Sequence, residues 1–275
     1  MSDTMLRPPP RIMAIANQKG GVGKTTTAIN LAAGLSELGA QVLVVDLDPQ
    51  GNASTGLGID AGRRKLTSYD LILDRPDLAD VILPTKTDRL FICPANADLA
   101  SADIELAVNE KRSQLLREAL RQPAMDAFGF DYVLIDCPPS LSLLTVNALI
   151  ACDSVLVPLQ SEFFALEGLS QLMLTIREVR STANTSLRIE GVLLTMYDKR
   201  NNLSQLVEGD ARQNLGELVF QTMIPRNVRV SEAPSYAMPV LAYDSASKGS
   251  EAYRALSQEI ARRHGFVRTL PEAVI

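Results

Sequence analysis

A glycine-rich segment near the start of the chain has the composition of a phosphate-binding loop. The segment reads N-Q-K-G-G-V-G-K-T-T-T over residues 17–27, between an apolar run at residues 12–16 and apolar residues that recur at helical spacing. Glycines lack the Cβ atoms that block close approach, so successive backbone N–H groups can surround phosphate oxygens. The following helix adds unpaired N–H groups and the positive end of its dipole. The pattern therefore predicts a nucleotide site, with Lys24 on the β- and γ-phosphates and the Thr25 hydroxyl on Mg²⁺.

Two carboxylates follow a second apolar run at residues 41–45. The sequence there is D-L-D-P-Q-G-N, and an extended backbone sends Asp46 and Asp48 to the same side. Two acids that project together from the end of a strand suit metal and water chemistry, whereas the alternative is a polar turn ended by Pro49.

A third acid ends the apolar run Y-V-L-I at residues 132–135. A continuous apolar run is typical of a parallel strand buried on both faces, and this one delivers Asp136 at its carboxyl end. An aspartate in this position matches a Walker B residue, which holds Mg²⁺ through water. The signal is weak alone and strong beside the glycine loop.

Strand and helix patterns alternate along the whole chain, which predicts an α/β fold with a single doubly wound domain and a mainly parallel sheet. We expect a lead-in at residues 1–11, a P-loop ATPase domain at 12–265 and a tail at 266–275. Three other expectations are one helix over 103–121, a last strand over 219–224 and a core position for the pair Phe163/Phe164. We also expect Arg63-Arg64-Lys65 to be a solvated loop and His264, the single histidine, to be a surface residue.

Composition limits the classes of function. The chain has 275 residues, a net charge of −5 and three widely spaced cysteines, and its first residues contain no apolar signal segment. These features favour a soluble, cytoplasmic protein with reduced thiols. Residues 1–184 hold 16 Lys/Arg against 22 Asp/Glu, whereas residues 185–275 hold 11 against 10, so the last third is relatively basic and permits a local positive patch.

The glycine loop departs from the general P-loop pattern, because Gln18 stands where glycine is usual and a second lysine, Lys19, opens the loop. The form K-G-G-V-G-K-T-T resembles the deviant Walker A motif of the ParA/MinD group of ATPases. V-D-L-D-P-Q-G-N, I-D-C-P-P-S, F-F-A-L-E-G-L-S-Q, E-G-V-L-L-T-M and I-P-R-N-V-R-V-S-E-A-P-S follow in the order found in the chromosomal ParA (Soj) partition family. The resemblance covers roughly residues 12–248.

The resemblance implies a role for each matching residue. Members of this family bind ATP and Mg²⁺ as a sandwich homodimer, bind double-stranded DNA without sequence preference, and are reset by hydrolysis that a ParB-type partner stimulates. Lys19 would then reach the nucleotide of the partner subunit, and Asp48 would position the attacking water. The implied nucleotide ligands are Lys19, Gly20, Gly21, Val22, Gly23, Lys24, Thr25, Thr26, Pro225 and Asn227. The implied metal residues are Thr25, Asp136 and Asp46, the last as a metal-shell or structural residue.

DNA contacts in such a dimer need only positive side chains, because phosphate contacts are blind to sequence and add up over two subunits. The candidates all lie in the more basic last third of the chain and are Lys199, Arg200, Arg226, Arg229 and Lys248, with Arg200 and Arg229 ranked first. An ATP-bound dimer with these contacts would be associated with the nucleoid. The alternative for each residue is an ordinary solvated charge.

Three alternatives share the glycine loop. A MinD-like membrane ATPase would end in a basic amphipathic helix, whereas the tail after residue 265 contains Pro271 and little positive charge, so we expect no membrane contact. A nitrogenase-iron-protein relative would place two cysteines per subunit on a shared Fe–S cluster, and Cys93, Cys137 and Cys152 show no such motif. The third is a ParA-like ATPase that positions plasmids or protein cargo.

Overall fold

The computed structural model describes residues 8–107, 112–162 and 165–266, and strands and helices alternate through them. The strands are β1 (Arg11–Ile15), β2 (Val42–Asp46), β3 (Leu83–Pro84), β4 (Leu90–Cys93), β5 (Tyr132–Asp136), β6 (Ser154–Gln160) and β7 (Arg188–Thr195). The helices are α1 (Lys24–Glu37), α2 (Asn52–Gly56), α3 (Ser68–Leu73), α4 (Leu78–Val81), α5 (Ala102–Ala107), α6 (Leu115–Leu120), α7 (Leu143–Ala151), α8 (Ala165–Thr182), α9 (Asn202–Leu215), α10 (Val228–Glu232), α11 (Val240–Tyr243) and α12 (Lys248–Arg263).

The strands form one sheet in the order β3-β4-β2-β5-β1-β6-β7. Every pairing is parallel except that of β3 with β4 at one edge. One apolar layer packs α1, α11 and α12 on one face, and a second packs α6, α7, α8 and α9 on the other. The predicted doubly wound α/β fold is therefore confirmed. The carboxyl ends of β1, β2 and β5 lie side by side where these strands end, and we call this side of the sheet its carboxyl edge.

The predicted strand over residues 219–224 is wrong. Among the described residues, the segment forms no strand of the sheet: one isolated bridge joins Val219 to Val192 of β7, and a second joins Pro225, just after the segment, to Tyr197. The reason is a competing acceptor, because the Glu259 carboxylate takes the backbone N–H groups of Gln221 and Thr222 at 3.0 Å each. Those donors are thereby withdrawn from a strand ladder, so the segment is held by α12 as well as by β7, where Phe220 and Ile224 donate to the Val192 and Leu194 carbonyls.

The predicted continuous helix over 103–121 is also wrong. Helix α5 is described as far as Ala107, a turn occupies residues 112–114, and α6 starts at Leu115. The amide of Asn147 donates to the Arg112 carbonyl at 2.7 Å, so α7 holds the turn that separates the two helices. The pair Phe163/Phe164, residues 1–7 of the lead-in and residues 267–275 of the tail lie outside the described residues, and the predicted domain limits stay predictions.

His264 is not the surface residue that the sequence suggests. Its side chain is 6% exposed, and its Nε2 atom lies 3.0 Å from Glu190 Oε1, whose other oxygen accepts from Ser154 Oγ at 2.7 Å. Nδ1 of His264 lies 3.3 Å from the Tyr132 hydroxyl. Helix α12 is thus anchored to β5, β6 and β7 at the edge of the sheet opposite to the glycine loop.

We expect this anchor to make stability depend on pH. Burial alone would raise the pKa of Glu190, but the hydrogen bonds and charge of His264, with the Ser154 hydroxyl, outweigh burial and lower the pKa below the usual 4.5. Because folding favours the ionised form of Glu190, its contribution to the free energy of unfolding is complete above pH 4.5. This contribution is lost as the pH falls through the lowered pKa of the folded protein.

Glu190→Gln should therefore lower the free energy of unfolding at pH 7 by about 1–3 kcal/mol, since it weakens buried charge-assisted hydrogen bonds. It should also flatten the dependence of that free energy on pH below 4.5. Denaturant titrations at pH 7, 5 and 4 test both points. Glu178→Gln on the exposed side of α8 is the matched control and should behave as wild type. If Glu190→Gln also had the unfolding free energy of wild type at all three pH values, the assignment of this anchor would be contradicted.

Candidate nucleotide site

The glycine loop connects β1 to α1 at the carboxyl edge of the sheet. Gly21 and Gly23 have φ angles of +75° and +87°, the left-handed region that other residues rarely adopt. Gly23 is the N-cap of α1, and the start of this helix has no side-chain cap hydrogen bond in the part of the chain that the structure describes. At the other side of the loop, Thr195 Oγ1 donates to the Val22 carbonyl at 2.9 Å and ties the loop to the end of β7. Loop and helix therefore present free N–H donors, as an anion site requires.

Lys24 lies below this loop with its ammonium group directed inward. The residue is 7% exposed, and Nζ donates to the Lys19 carbonyl at 3.0 Å. Burial lowers the pKa of Lys24, while the charges of Asp136, Cys137 and Asp48 act in the opposite sense. The buried cation thus faces the acids at the ends of β2 and β5.

Asp136 is the least satisfied polar group in the described part of the chain. It is fully buried, and neither carboxylate oxygen has a hydrogen-bond partner among the described residues. Burial raises the pKa of Asp136 well above its usual value, the neighbouring charge of Asp46 adds to that effect, and the nearby Thr25 hydroxyl and Lys24 oppose it. A buried carboxylate that forms no geometric hydrogen bond, next to a Thr25 hydroxyl close enough to lower its pKa, fits a magnesium site, because Mg²⁺ takes oxygen ligands and keeps several waters.

Asp46 is the register partner of Asp136 but has a different environment. Its Oδ2 accepts from the backbone N–H and the hydroxyl of Ser54 at 2.9 and 2.7 Å, and its Oδ1 accepts from the Asp48 N–H at 3.1 Å. Burial raises the pKa of Asp46 to about 6, and the Ser54 hydrogen bonds oppose burial. Since both oxygens already hold α2 and the Asp48 turn, this geometry favours the structural one of its two predicted roles.

Asp48 has a carboxylate that is less occupied. One oxygen accepts the Gln50 N–H at 3.0 Å, and the other has no hydrogen-bond partner in the part of the chain that the structure describes. Its charge acts on both Lys24 and Asp136, so the carboxylate lies near the phosphate end of the site. The turn that carries it is rigid, because Gly51 donates to the Asp48 carbonyl at 2.8 Å.

Arg64 fixes the segment that follows Asp48, which the sequence assigned to a solvated loop. Its guanidinium donates to the carbonyls of Ile59 and Ala95 and, at 2.7 Å, to the Thr55 hydroxyl. These contacts join both sides of the loop after α2 to the loop after β4. The expectation of a solvated loop is wrong for Arg64, whereas Arg63 and Lys65 are exposed.

A cavity of about 220 Å³ adjoins the glycine loop and contains both residues predicted to contact the base. Pro225 and Asn227 line it together with Gly23, Thr26 and the fully buried Tyr253. The side-chain oxygen of Asn227 caps α10 by accepting two N–H groups, which fixes the orientation of its amide. No sequence pattern points to Tyr253, because only the packing of α12 against α1 brings it to this cavity.

Lys19 lies at the outer rim of the loop. Its N–H donates to Asn17 Oδ1 at 3.0 Å, and its Nζ lies 3.0 Å from Glu162 Oε2. The Lys19 and Glu162 side chains are 39% and 47% exposed. Lys19 is therefore directed away from the phosphate site of its own chain and towards solvent. The sequence did not identify Glu162.

A groove of about 860 Å³ collects four of the five residues predicted to bind DNA. It is lined by Lys199, Arg200, Arg226 and Lys248, with Asp198 and Glu251 as the acidic residues. Arg200 has an 87% exposed side chain and lies 3.4 Å from Asp198. Four cations against two acids make this a basic surface in a chain with a net charge of −5.

Arg229, the fifth candidate, is not a lining residue of the groove. Its guanidinium pairs with Glu232 at 2.9 Å and with Asp244 at 3.2 Å. These two carboxylates compensate its charge, so the geometry ranks Arg229 below Arg200 as a phosphate contact.

The cysteines are unsuited to a cluster shared between subunits. Cys93, Cys137 and Cys152 are all free and buried, and burial raises the pKa of each thiol. Residues 8–107, 112–162 and 165–266 contain no group of three or more His, Cys, Asp or Glu side chains that could hold a metal. In the same ranges, no helix has the length and apolar character needed to cross a membrane.

Comparison with known proteins gives consistent relatives. The chain matches a family model described as an AAA domain over residues 10–189. It is 55% identical over 256 residues to the chromosome partitioning protein ParA of Caulobacter vibrioides, which covers 93% of this chain and 95% of that protein. It is 50% identical over 251 residues to the sporulation initiation inhibitor protein Soj of Bacillus subtilis, with 91% and 98% covered.

Solved structures share the fold. Cobyrinic acid a,c-diamide synthase from Mycobacterium smegmatis with bound ADP and magnesium is 37% identical, with a TM-score of 0.79 and coverage of 95% of this chain and 98% of that one. The cell division ATPase MinD of Pyrococcus furiosus is 26% identical, with a TM-score of 0.73 and coverage of 92% and 99%.

The parallel sheet, the left-handed glycines of the loop and the buried Lys24 define the class of α/β P-loop nucleotide-binding proteins. Within that class, the chain belongs to the ParA/Soj family of chromosome-partitioning proteins. The family predicted from the motif order is thus confirmed.

Proposed function

We propose that this chain is an ATP-hydrolysing DNA segregation protein, which binds DNA without sequence preference as an ATP-bound homodimer and is reset by hydrolysis that a ParB-type partner stimulates. The observation that carries the proposal is the arrangement at one sheet edge of free N–H donors, the buried Lys24 and the partnerless Asp136. The relatives named as chromosome partitioning proteins support the biological role.

Each residue has a defined task in this mechanism. Lys24 and the loop N–H groups of Gly20 to Thr26 bind the phosphates, and the cavity beside Asn227 takes the adenine. Thr25 and Asp136 hold Mg²⁺, while Asp46 keeps the Asp48 turn in place. When bound, Mg²⁺ neutralises charge on the β- and γ-phosphates. Asp48 orients the attacking water, a role supported by the effect of its charge on Lys24 and by a carboxylate oxygen that has no hydrogen-bond partner among the described residues.

Lys19 supplies the last positive charge in this mechanism, and it does so from the second subunit. Phosphoryl transfer depends on positioning and charge neutralisation, so hydrolysis is slow until the dimer has formed. The outward direction of Lys19 supports this role, because its Nζ is engaged with Glu162 and not with the phosphate site of its own chain. ATP is then both the substrate and the link between subunits.

DNA binding with ATP, with ADP and without nucleotide tests the proposal. We expect binding to a nonspecific duplex only with ATP, with an affinity that falls steeply as salt rises. ATP-driven dimerisation without DNA binding would instead indicate the second candidate, a ParA-like ATPase whose cargo is a plasmid-bound or other protein assembly. Absence of nucleotide binding would overturn the ATPase assignment itself.

Arg200→Ala should weaken the ATP-dependent DNA binding about tenfold or more at moderate salt. It should also reduce the slope of log affinity against log salt by about 2, because each dimer loses two phosphate contacts. Fluorescence anisotropy over a range of salt concentrations measures both quantities. Arg229→Ala should have the smaller effect, since Glu232 and Asp244 already compensate that charge.

Arg180→Ala is the matched control for this measurement. Arg180 is exposed near the end of α8, the helix that returns the chain to the start of β7, so it lies at the sheet edge opposite to the groove. An equal loss of binding for Arg200→Ala and Arg180→Ala would show that only net charge matters and would contradict the groove as the DNA surface.

A further inference from the structure

The contact between Lys19 and Glu162 connects two elements at the carboxyl edge of the sheet. Lys19 opens the glycine loop after β1, and Glu162 follows the end of the neighbouring strand β6. Glu162 is itself held in place, because its other carboxylate oxygen accepts a hydrogen bond from the Gln160 amide. The adjacent Ser161 N–H donates to the Thr195 carbonyl of β7 at 3.3 Å.

From this geometry we infer that Glu162 is an internal competitor for Lys19, which keeps the single subunit from dimerising until ATP is bound. The inference rests on the proposed role of Lys19 at the nucleotide of the partner subunit. One ammonium group cannot remain 3.0 Å from Glu162 and also bind the phosphates of a second subunit. Dimerisation therefore exchanges one carboxylate partner of Lys19 for a phosphate partner, in each of the two subunits.

The nucleotide-binding lysine lies next to this contact. Lys24 Nζ donates to the carbonyl of Lys19 at 3.0 Å, so without phosphate it holds the backbone of Lys19 in the same arrangement. Phosphate in the loop attracts the Lys24 ammonium more strongly than a neutral carbonyl does. Arrival of ATP thus removes the Lys24 contact from the Lys19 backbone, and the Glu162 pair is the contact of the Lys19 side chain that remains to be exchanged.

The pair is suited to exchange and not to permanent structure. Both side chains are more than one third exposed, so water screens their attraction and breaking it leaves no buried charge. Glu162 also lines a cavity of about 640 Å³ together with Asp198 and Arg226, so its side chain has space to move without disturbing the apolar core. A half-exposed ion pair sets a threshold for dimerisation, whereas a buried pair would prevent it.

The experiment measures the dimer dissociation constant with a non-hydrolysable ATP analogue. Sedimentation velocity over a range of protein concentrations is used on the full chain. We expect Glu162→Gln to lower this constant about 2- to 30-fold, because one exposed pair is removed in each of two subunits. High salt should reduce the difference in dimer dissociation constant between Glu162→Gln and wild type, since salt screens the Lys19–Glu162 pair. Glu162→Asp keeps the charge and should remain near wild type.

Two controls separate competition from damage. Glu178→Gln removes the same charge from α8 at a distance from the loop and should leave the dimer constant unchanged. The affinity of the Glu162→Gln monomer for ADP should equal that of wild type, because Lys19 does not serve the site of its own chain.

The outcomes distinguish this inference from the function on which it rests. A wild-type protein that does not dimerise with the analogue would overturn the proposed function. A wild-type protein that dimerises, with a Glu162→Gln variant that dimerises equally or more weakly, would overturn the competitor role alone, since a weaker dimer would mean that Glu162 stabilises the interface.

Discussion

Lys24→Ala should lose nucleotide binding, with the affinity for ATP and for ADP reduced by at least about 100-fold. Two charge-assisted hydrogen bonds to phosphate oxygens contribute about 1.5–3 kcal/mol each, and no other cation faces the loop interior in the described part of the chain. Isothermal titration calorimetry in the presence of Mg²⁺ measures the loss.

The same substitution should leave the fold intact. Burial lowers the pKa of Lys24, which shows that the folded protein holds this ammonium group at a cost in solvation. Removing it relieves that cost but leaves Asp136 and Asp48 without their nearby cation, so we expect the free energy of unfolding without nucleotide to change by no more than about 1–3 kcal/mol. This expectation distinguishes a binding residue from a structural one.

Lys19→Ala is the matched control, because it removes the other lysine of the same loop. Lys19 is directed to Glu162 and solvent, so the monomer of this variant should bind ADP as wild type does while ATP-dependent dimerisation fails. Wild-type affinity in Lys24→Ala would place the phosphates elsewhere and would contradict the loop assignment.

The sequence predicted the parts of the site that local patterns control. Apolar runs gave the strands that end at Asp46 and Asp136, and glycine spacing gave the loop, because both signals depend on neighbours within a few residues. Parallel strands then bring their carboxyl ends together, so the meeting of these acids followed from fold class alone.

The failures share a different cause, which is a polar contact between residues far apart in the sequence. Residues 219–224 have an apolar pattern typical of a strand, but the Glu259 carboxylate on α12 takes two of their donors. His264 looked like a helix-end surface residue until Glu190 accounted for its burial. Arg64 looked solvated because its distant acceptor, the Ala95 carbonyl, is a backbone group and carries no sequence signal.

Asp48→Ala should bind ATP and accumulate as a DNA-bound dimer that does not turn over. A positioned group that orients water or accepts its proton contributes about 10²- to 10⁴-fold to rate, so we expect the turnover number to fall by that factor. The affinity for ATP should change little, because Lys24, Thr25 and the loop N–H groups remain. Phosphate release in single-turnover experiments, with and without a ParB-type partner, measures the effect. Normal turnover would show that another group positions the water.

Asp46→Asn gives the contrast that identifies which carboxylate acts on water. An asparagine amide in place of the Asp46 carboxylate would turn an NH₂ group either to the Ser54 donors or to the Asp48 N–H, so at least one buried donor loses its acceptor. We therefore expect a free energy of unfolding lower by about 1–3 kcal/mol in Asp46→Asn. Asp48→Ala should keep wild-type stability, because removing this carboxylate deprives only one donor, the Gln50 N–H at the surface of the turn, of its acceptor. If Asp46→Asn lowers stability, Asp46 has a structural role. If Asp48→Ala lowers the turnover number and leaves stability unchanged, Asp48 acts in hydrolysis.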